Sequence, residues 1–469
     1  MANRLNSFSR RNPDGLLFYL YLALLLWMPL PLGSNRWWAV AIFELAAMGL
    51  AMGWLALYAR GRVTPGETFA RAAPVLLLLC LGLCWIILQA AALPPVLVSL
   101  MSPNAAQVQS LTGAQSSLSL NVSATREMVF ETLALIVVFS LTLLLVTSRR
   151  RLRQLAGVLV ISGVMQAAYG SLMTLSGLEY GFLVEKESYR GVATGTFVNR
   201  NHLAGYLELC LAVGIGLLLS DLARDRTPSL REAVRRFLNS MLGRKGFLRL
   251  SLAVMVIALV LTHSRMGNTA FFTALALTGL LYLVAQKRLT RGSILFFSSL
   301  LVIDLLIVGN FFGVEEVVQR LQTTSTTTEH RDEVVRESLQ IIADYPLAGT
   351  GAGTYYSTYP SYARGEVSQN YDHTHNDFVE FASEWGLVGF ALLGAAVAWC
   401  LFCGVQAMFQ RKDPLMLGTA FASVMGLLAL LVHSLADFNL QIPANAALFV
   451  VIMALGVISV SARFREGVS

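Results

Sequence analysis

Charge is what this sequence has least of. Only 13% of its 469 residues are Asp, Glu, Lys or Arg, and 55% are hydrophobic. Soluble domains carry about 25% charged residues. A chain this bare cannot coat the two or three soluble domains its length alone would allow. Cysteine is sparse too. Cys80, Cys84, Cys210, Cys400 and Cys403 all fall inside apolar runs, which excludes a disulfide framework. Cys400 and Cys403 form a C-x-x-C, but no βαβ pattern surrounds it to make a redox motif. No cleavable signal peptide is expected: the apolar run after Arg4, Arg10 and Arg11 is too long for an h-region and lacks a cleavage site, and reads as a first transmembrane helix.

What is present is oil at regular intervals. Apolar runs near the length that crosses a ~30 Å hydrocarbon core occur at 15–33, 37–58, 73–93, 128–147, 155–176, 202–222, 248–263, 267–285, 293–313, 386–409, 415–436 and 445–462. The expectation is an all-α integral membrane protein with about 12 transmembrane helices. With the N-terminus in the cytoplasm and strict alternation, 25 of the 35 Lys and Arg residues fall on the inner side. That satisfies the positive-inside rule and puts both termini in the cytoplasm. The net charge of +7 then serves orientation and anionic lipid, and calls for no nucleic acid.

All six histidines (His202, His263, His330, His373, His375, His433) fall in outer segments or at outer helix ends on this topology. The outer face also receives the longest polar interval, 314–385, and the segments 94–127 and 177–201. The Ser/Gln/Asn-rich 94–127 reads as a flexible or lid-like loop. The cytoplasmic 223–249 reads as a basic amphipathic helix on the inner leaflet.

Within 314–385, Thr374-His375-Asn376-Asp377 has the form of a capping box. It predicts a helix from Asn376 to Trp385 with His375 at the first helical position. There the partial positive charge of free N–H groups keeps an imidazole neutral, as a general base requires. The alternatives are that His375 merely caps or packs, or that it binds a metal with His373, although an H-x-H lacks the helical i, i+4 geometry of H-E-x-x-H. Glu329 to Asp344 reads as an amphipathic helix with Val334, Val335, Leu339 and Ile342 as its apolar stripe and Arg331 in its first turn. Gly349, Gly351 and Gly353 then make either a tight turn or an amide nest for phosphate oxygens. Arg265 sits in the turn between two spans, where a charge close to hydrocarbon is a functional candidate or a snorkelling side chain. Arg190 precedes Asn199, Arg200, Asn201 and His202 at the mouth of the next span. Asp437 lies one turn after His433, placed to orient a histidine or arginine, or to satisfy a helix end.

Four motifs in order carry a resemblance: R-G-x-x-x-G-T-F-x-N-x-N-x-x-A from Arg190, S-R-x-G from Ser264, R-x(14)-P-L-x-G-x-G-x-G from Arg331, and H-N-D-F-x-x-x-x-x-E-x-G-x-x-G from His375. In these the chain resembles the O-antigen ligase/polymerase superfamily, with its GT-C-like fold and large helical extracytoplasmic loop. The resemblance implies an N-terminal half, 1–201, of helices 1–5 and outer loops, and a ligase-like region, 202–469, that holds 314–385 as its periplasmic catalytic loop. It also implies a metal-independent, inverting glycosyltransferase of the bacterial inner membrane, without cofactor. The donor would be a glycan on undecaprenyl diphosphate, and the acceptor another glycan or lipid A–core. His375 looks like the base. Arg190, Arg265 and Arg331 look like diphosphate ligands, with Asn201, Asn376, Asp377, Glu384 and Asp437 in support. The NRNH and DFNLQIPAN stretches are similar to those of exopolysaccharide polymerases. A protein O-glycosylating relative shares the pattern, and a polytopic transporter would share the hydropathy.

Overall fold

The computed structural model describes residues 13–222, 244–286, 331–364 and 371–464. The expected span 293–313, His330, the start of the long outer loop and most of 223–249 lie outside the described residues.

The chain is built of helices. In order they are α1 (Gly15–Trp27), α2 (Trp37–Ala59), α3 (Ala73–Ala90), α4 (Val122–Leu145), α5 (Arg149–Ser176) and α6 (Arg200–Leu222). There follow α7 (Arg244–Leu261), α8 (Arg265–Gln286), α9 (Arg331–Asp344), α10 (Asp377–Gln410), α11 (Pro414–His433) and α12 (Pro443–Ser461). Among the described residues nine of these are long and apolar enough to cross a membrane, and α1 and α7 are shorter apolar helices. This is an all-α integral membrane protein. The first expected span, 15–33, is cut short at Trp27, because Pro29 and Pro31 follow and cannot donate to an α-helical ladder.

Polar contacts sort the connecting segments into two groups, one at each end of the bundle. At one end Arg149 pairs with Asp413 at 2.6 Å, joining the α4–α5 and α10–α11 connections. Arg151 grips the Asp14 carboxylate with two parallel bonds of 2.8 Å, bringing the N-terminal segment to the same end. Arg411 bonds the carbonyls of Val460 and Ala462 there. At the other end gather the segments read as outer. Ala193 donates to Leu261 O at 2.8 Å, Thr196 Oγ1 to Pro29 O at 2.5 Å, and Asn445 Nδ2 to His202 O at 3.1 Å.

The hub is α6, α11 and α12. Of their most apolar stretches 94%, 83% and 89% are buried, against 22% for the peripheral α2. Helices come this close in lipid only where small residues meet. A Cβ on Gly216 of α6 would lie 2.2 Å from the Gly418 carbonyl oxygen of α11.

Over the end that carries the histidines lies a roof. Segment 94–127, expected to be flexible or lid-like, instead folds into two short helices, Pro95–Met101 and Pro103–Thr112, and the first turn of α4. The cause is apolar burial: Val98, Ala105 and Leu118 pack with Val334, Ile341, Tyr345, Tyr355 and Tyr359. On α9 the buried stripe is Val334, Ser338 and Ile341; of the expected stripe only Val334 is buried, Val335 and Ile342 are half-buried and Leu339 is exposed. Ser338 belongs in the stripe because its hydroxyl meets that of Tyr355 at 2.8 Å.

Candidate active site

The site begins where the roof becomes membrane helix. The residue that caps α10 is Asn376, whose Oδ1 accepts the Val379 N–H at 3.1 Å. His375 therefore lies outside the helix, correcting the expectation of a first-turn position. Its backbone is left-handed, at φ 55°, a conformation that costs a non-glycine residue of order 1 kcal/mol or more. The reason is that Glu380, one turn inside, reaches back to the loop. It accepts the Thr374 N–H at 2.9 Å and the His373 Nδ1–H at 2.6 Å. Thr374 Oγ1 in turn accepts the Asn376 N–H at 3.0 Å. The loop is thereby drawn tight, and His375 is turned away from the helix axis.

The loop docks on the segment between α11 and α12. Asn376 Nδ2 donates to Leu435 O at 2.9 Å. The buried Asp377 carboxylate accepts from Ser434 Oγ at 2.6 Å and from the Leu440 N–H at 3.1 Å. These contacts bring three imidazoles around one ring, Phe438. His373 stacks on it at 4.3 Å between centroids, and His202 and His375 meet it edge-on at 4.7 and 4.9 Å. Asp437, the preceding residue, faces two of them: its Oδ1 lies 3.7 Å from His375 Nδ1 and 3.9 Å from His202 Nε2.

Electrostatics follow from this packing. Burial would raise the Asp437 carboxyl, but contact with His375 and the fields of His202 and His433 outweigh it. The group is held well below the usual carboxylate range and is an anion at neutral pH. Burial would likewise lower His373, but the Glu380 carboxylate against its ring pushes it up to about 9. One turn below, inside the bundle, His433 Nδ1 meets Glu208 Oε1 at 2.8 Å with both side chains fully buried. His202 Nε2, His375 Nδ1, His433 Nε2, Glu208 Oε2, Asp377 Oδ1 and Asp437 Oδ2 are buried without a hydrogen-bond partner. Leaving such a group without any partner costs about 1–3 kcal/mol of stability, so the cluster gathers polar atoms that the protein's own groups do not satisfy.

Other expected residues take different places. Glu384 sits under the roof, where its carboxylate accepts the N–H groups of Gly353 and Tyr355 at 3.0 and 2.7 Å. Gln89 takes the Ala352 N–H. The glycine cluster is thus a tight turn with its amides already used. Gly349 and Gly386 cross at this turn. A Cβ on Gly349 would lie 2.2 Å from Glu384 O, and one on Gly386 2.2 Å from Leu347 O. Both have positive φ, and at Gly386 the helix α10 breaks and re-forms.

Asn201 is buried in the first turn of α6 beside His202, its N–H on Asn199 Oδ1 at 2.9 Å. Arg190 folds back on its own loop, to Glu185 Oε1 at 2.7 Å and Lys186 O at 2.9 Å, and is largely exposed. Arg265 opens α8 with its side chain exposed. The Ala193–Leu261 bond holds these two arginines' loops side by side. Arg331 begins α9, in the roof. Among the described residues no group of three or more His, Cys, Asp or Glu side chains is arranged to hold a metal ion. His373 and His375 each turn Nδ1 toward a different carboxylate.

Sequence reasoning missed Glu208, Glu380 and Phe438. Glu208 had a signal: a carboxylate inside the apolar run of α6 is costly and so functional by default. Phe438 had none, since an aromatic residue in a loop is unremarkable by itself.

Comparison with known families bears out the resemblance where it covers the chain. Residues 250–394 match the family model described as O-Antigen ligase. The match begins in α7 and takes in Arg265, Arg331, the roof turn and the His373–Asp377 loop. It supports a membrane enzyme of the O-antigen ligase or polymerase type, acting in glycan transfer. No curated protein matches the chain.

Proposed function

We propose that this chain transfers or polymerises a glycan carried on undecaprenyl diphosphate, at the periplasmic face of the bacterial inner membrane. The observation that carries the reading is the His375–Asp437 pair at 3.7 Å. A buried anionic carboxylate behind Nδ1 favours the tautomer that leaves Nε2 free to accept a proton, and stabilises the imidazolium that results.

In the reaction, a hydroxyl of the acceptor sugar gives its proton to His375 as its oxygen bonds to the anomeric carbon of the donor. The bond from that carbon to the phosphate oxygen breaks on the opposite face, so configuration inverts. The electron pair leaves with undecaprenyl diphosphate. Arg190 and Arg265, on adjoining loops, take up the growing negative charge, since guanidinium forks match phosphate oxygens. Arg331 is a third candidate from the roof. Asn201, Asn376 and Asp377 hold the framework in place, and Glu384 fixes the roof turn. A diphosphate is already a good leaving group, so the reaction calls for neither metal nor nucleotide.

The test is a reconstituted transfer assay with purified protein and undecaprenyl-diphosphate glycan, offering repeat unit and lipid A–core separately. A ladder of lengthening products identifies a polymerase. One capped product on the core identifies a ligase. Absence of product with both, under conditions where donor binds, refutes both readings and leaves protein acceptors or transport.

A further inference from the structure

The segment after α5 turns back along the span it has just left. Gly177 caps α5 in the left-handed conformation, at φ 71°, and the Glu179 N–H donates back to Met173 O at 3.4 Å. The chain then forms a two-stranded antiparallel hairpin, Tyr180–Gly181 with Val184–Glu185. Its turn, Phe182-Leu183, lies beside Tyr169 of α5, whose hydroxyl meets the backbone of both residues. Tyr169 stands seven residues before the end of α5, about 10 Å along the helix. Helical side chains lean toward the N-terminus, which for α5 is away from the histidine end. The turn is therefore held at a depth that the bilayer occupies.

The turn is built against its own backbone preference. Phe182 and Leu183 both have positive φ, 36° and 65°, as a two-residue type I′ turn requires. Asn and Gly usually fill these positions, and bulky residues are outliers there. Yet the apolar side chains face outward: Leu183 is 87% exposed, and Leu178, Tyr180 and Val184 are exposed as well. They continue the exposed stripe Ile161, Met165, Leu172 and Leu175, the face that α5 turns to lipid. Charges gather at the base of the hairpin, where Lys186 pairs with Glu179 at 2.8 Å and Arg190 with Glu185 at 2.7 Å. In water such a tip gains nothing for its strain. In lipid its side chains leave water, and an apolar tip over a charged base is the amphipathic split that holds a segment in a membrane interface.

We propose that this hairpin inserts its tip into the leaflet on the histidine side of the bundle and thereby holds Arg190 at the level of the lipid phosphates. Acyl chains cover the exposed tip, since it continues the lipid-facing side of α5. Insertion stands apart from the glycan-transfer reading; the use of Arg190 on a donor diphosphate rests on it.

The test puts a fluorescent NBD label on Val184→Cys in the full-length protein, with Cys80→Ser and Cys84→Ser removing the exposed cysteines. The protein sits in nanodiscs of phosphatidylethanolamine and phosphatidylglycerol that carry nitroxide on the acyl chain. The expected result at 184 is quenching by the nitroxide and none by aqueous iodide. A label on Glu187→Cys, exposed beyond the hairpin, should show the reverse. Phe182→Asn with Leu183→Gly suits the turn but removes the apolar tip, and should open position 184 to iodide. The exchange Phe182→Leu with Leu183→Phe keeps the tip apolar and should keep the native pattern, which separates loss of apolar surface from loss of fold. Iodide quenching with the native tip, nitroxide quenching indifferent to the Asn-Gly turn, or loss of quenching in the apolar exchange overturns insertion. So does shielding from both quenchers, which marks a protein partner on this face. In the reconstituted transfer assay the Asn-Gly turn should raise the donor KM severalfold; an unchanged KM overturns the tie to Arg190. Insertion without any transfer refutes the function and leaves the anchor standing.

Discussion

His375 Nδ1 and Asp437 Oδ1 lie 3.7 Å apart, the histidine on the loop before α10 and the aspartate on the loop after α11. Neither loop alone sets a histidine against a carboxylate. The pair forms because Asp377 ties the two loops together through Ser434 and Leu440. If His375 takes the acceptor proton, His375→Ala removes the base and Asp437→Asn removes what orients it. Loss of a general base is expected to cost about 10²–10⁴ in rate, with Asp437→Asn at the lower end. The check is initial transfer rate at matched membrane levels; unimpaired transfer by His375→Ala removes it as the base.

Arg265→Lys keeps a positive charge but loses the planar fork. The expected outcome is roughly a tenfold or greater loss in kcat/KM for the lipid-diphosphate donor. Glu185→Ala should free the exposed Arg190 and leave stability within about 0.5 kcal/mol, as is usual for exposed pairs. A fully active Arg265→Lys variant argues against diphosphate clamping.

The His373–Glu380 pair makes a pH prediction. The folded ring is raised from 6.5 to about 9, so the protonated form is favoured by folding. The stabilisation is complete below pH 6.5 and is lost as pH rises through 9. Thermal unfolding in detergent should show a midpoint falling between pH 6.5 and 9, with a flatter profile in Glu380→Gln. Equal slopes for the two proteins contradict the pairing.

Gly386→Ala places a Cβ against Leu347 O at a residue with φ 64°. A destabilisation of at least about 1–3 kcal/mol is expected from the backbone alone. Gly394→Ala, in open helix, should be neutral or gain about 0.5–1 kcal/mol. Unfolding of the two variants in parallel separates these outcomes.

Transfer should persist in the presence of a chelator. His373 and His375 direct Nδ1 to separate carboxylates, a geometry suited to ion pairing rather than to a shared metal. Loss of activity on chelation, restored by one divalent ion, revives the metal reading.

The bundle was legible in the sequence because its physics is local. Twenty apolar residues cross a bilayer whatever their neighbours are, and Arg149, Arg151 and Arg411 mark one end by charge alone. His375 and Asp437 were legible singly, as polar residues near helix ends. Their meeting was not, because it depends on Asp377 reaching Ser434, 57 residues away in sequence. The helix cap was misplaced by two residues, since Thr374 and Asn376 are both good caps and Glu380, not Asp377, decided between them.

The helix α10 carries the histidine loop at its start, breaks at Gly386 under the roof, and continues to Gln410 as a membrane span. Chemistry and anchorage thus share one rod. Whatever tilts the lower part, the hydrocarbon thickness above all, reaches the loop through a single glycine joint braced by Gly349. The bilayer is in this sense part of the protein's geometry: a thinner or thicker membrane resets the height of His375 over the lipid surface.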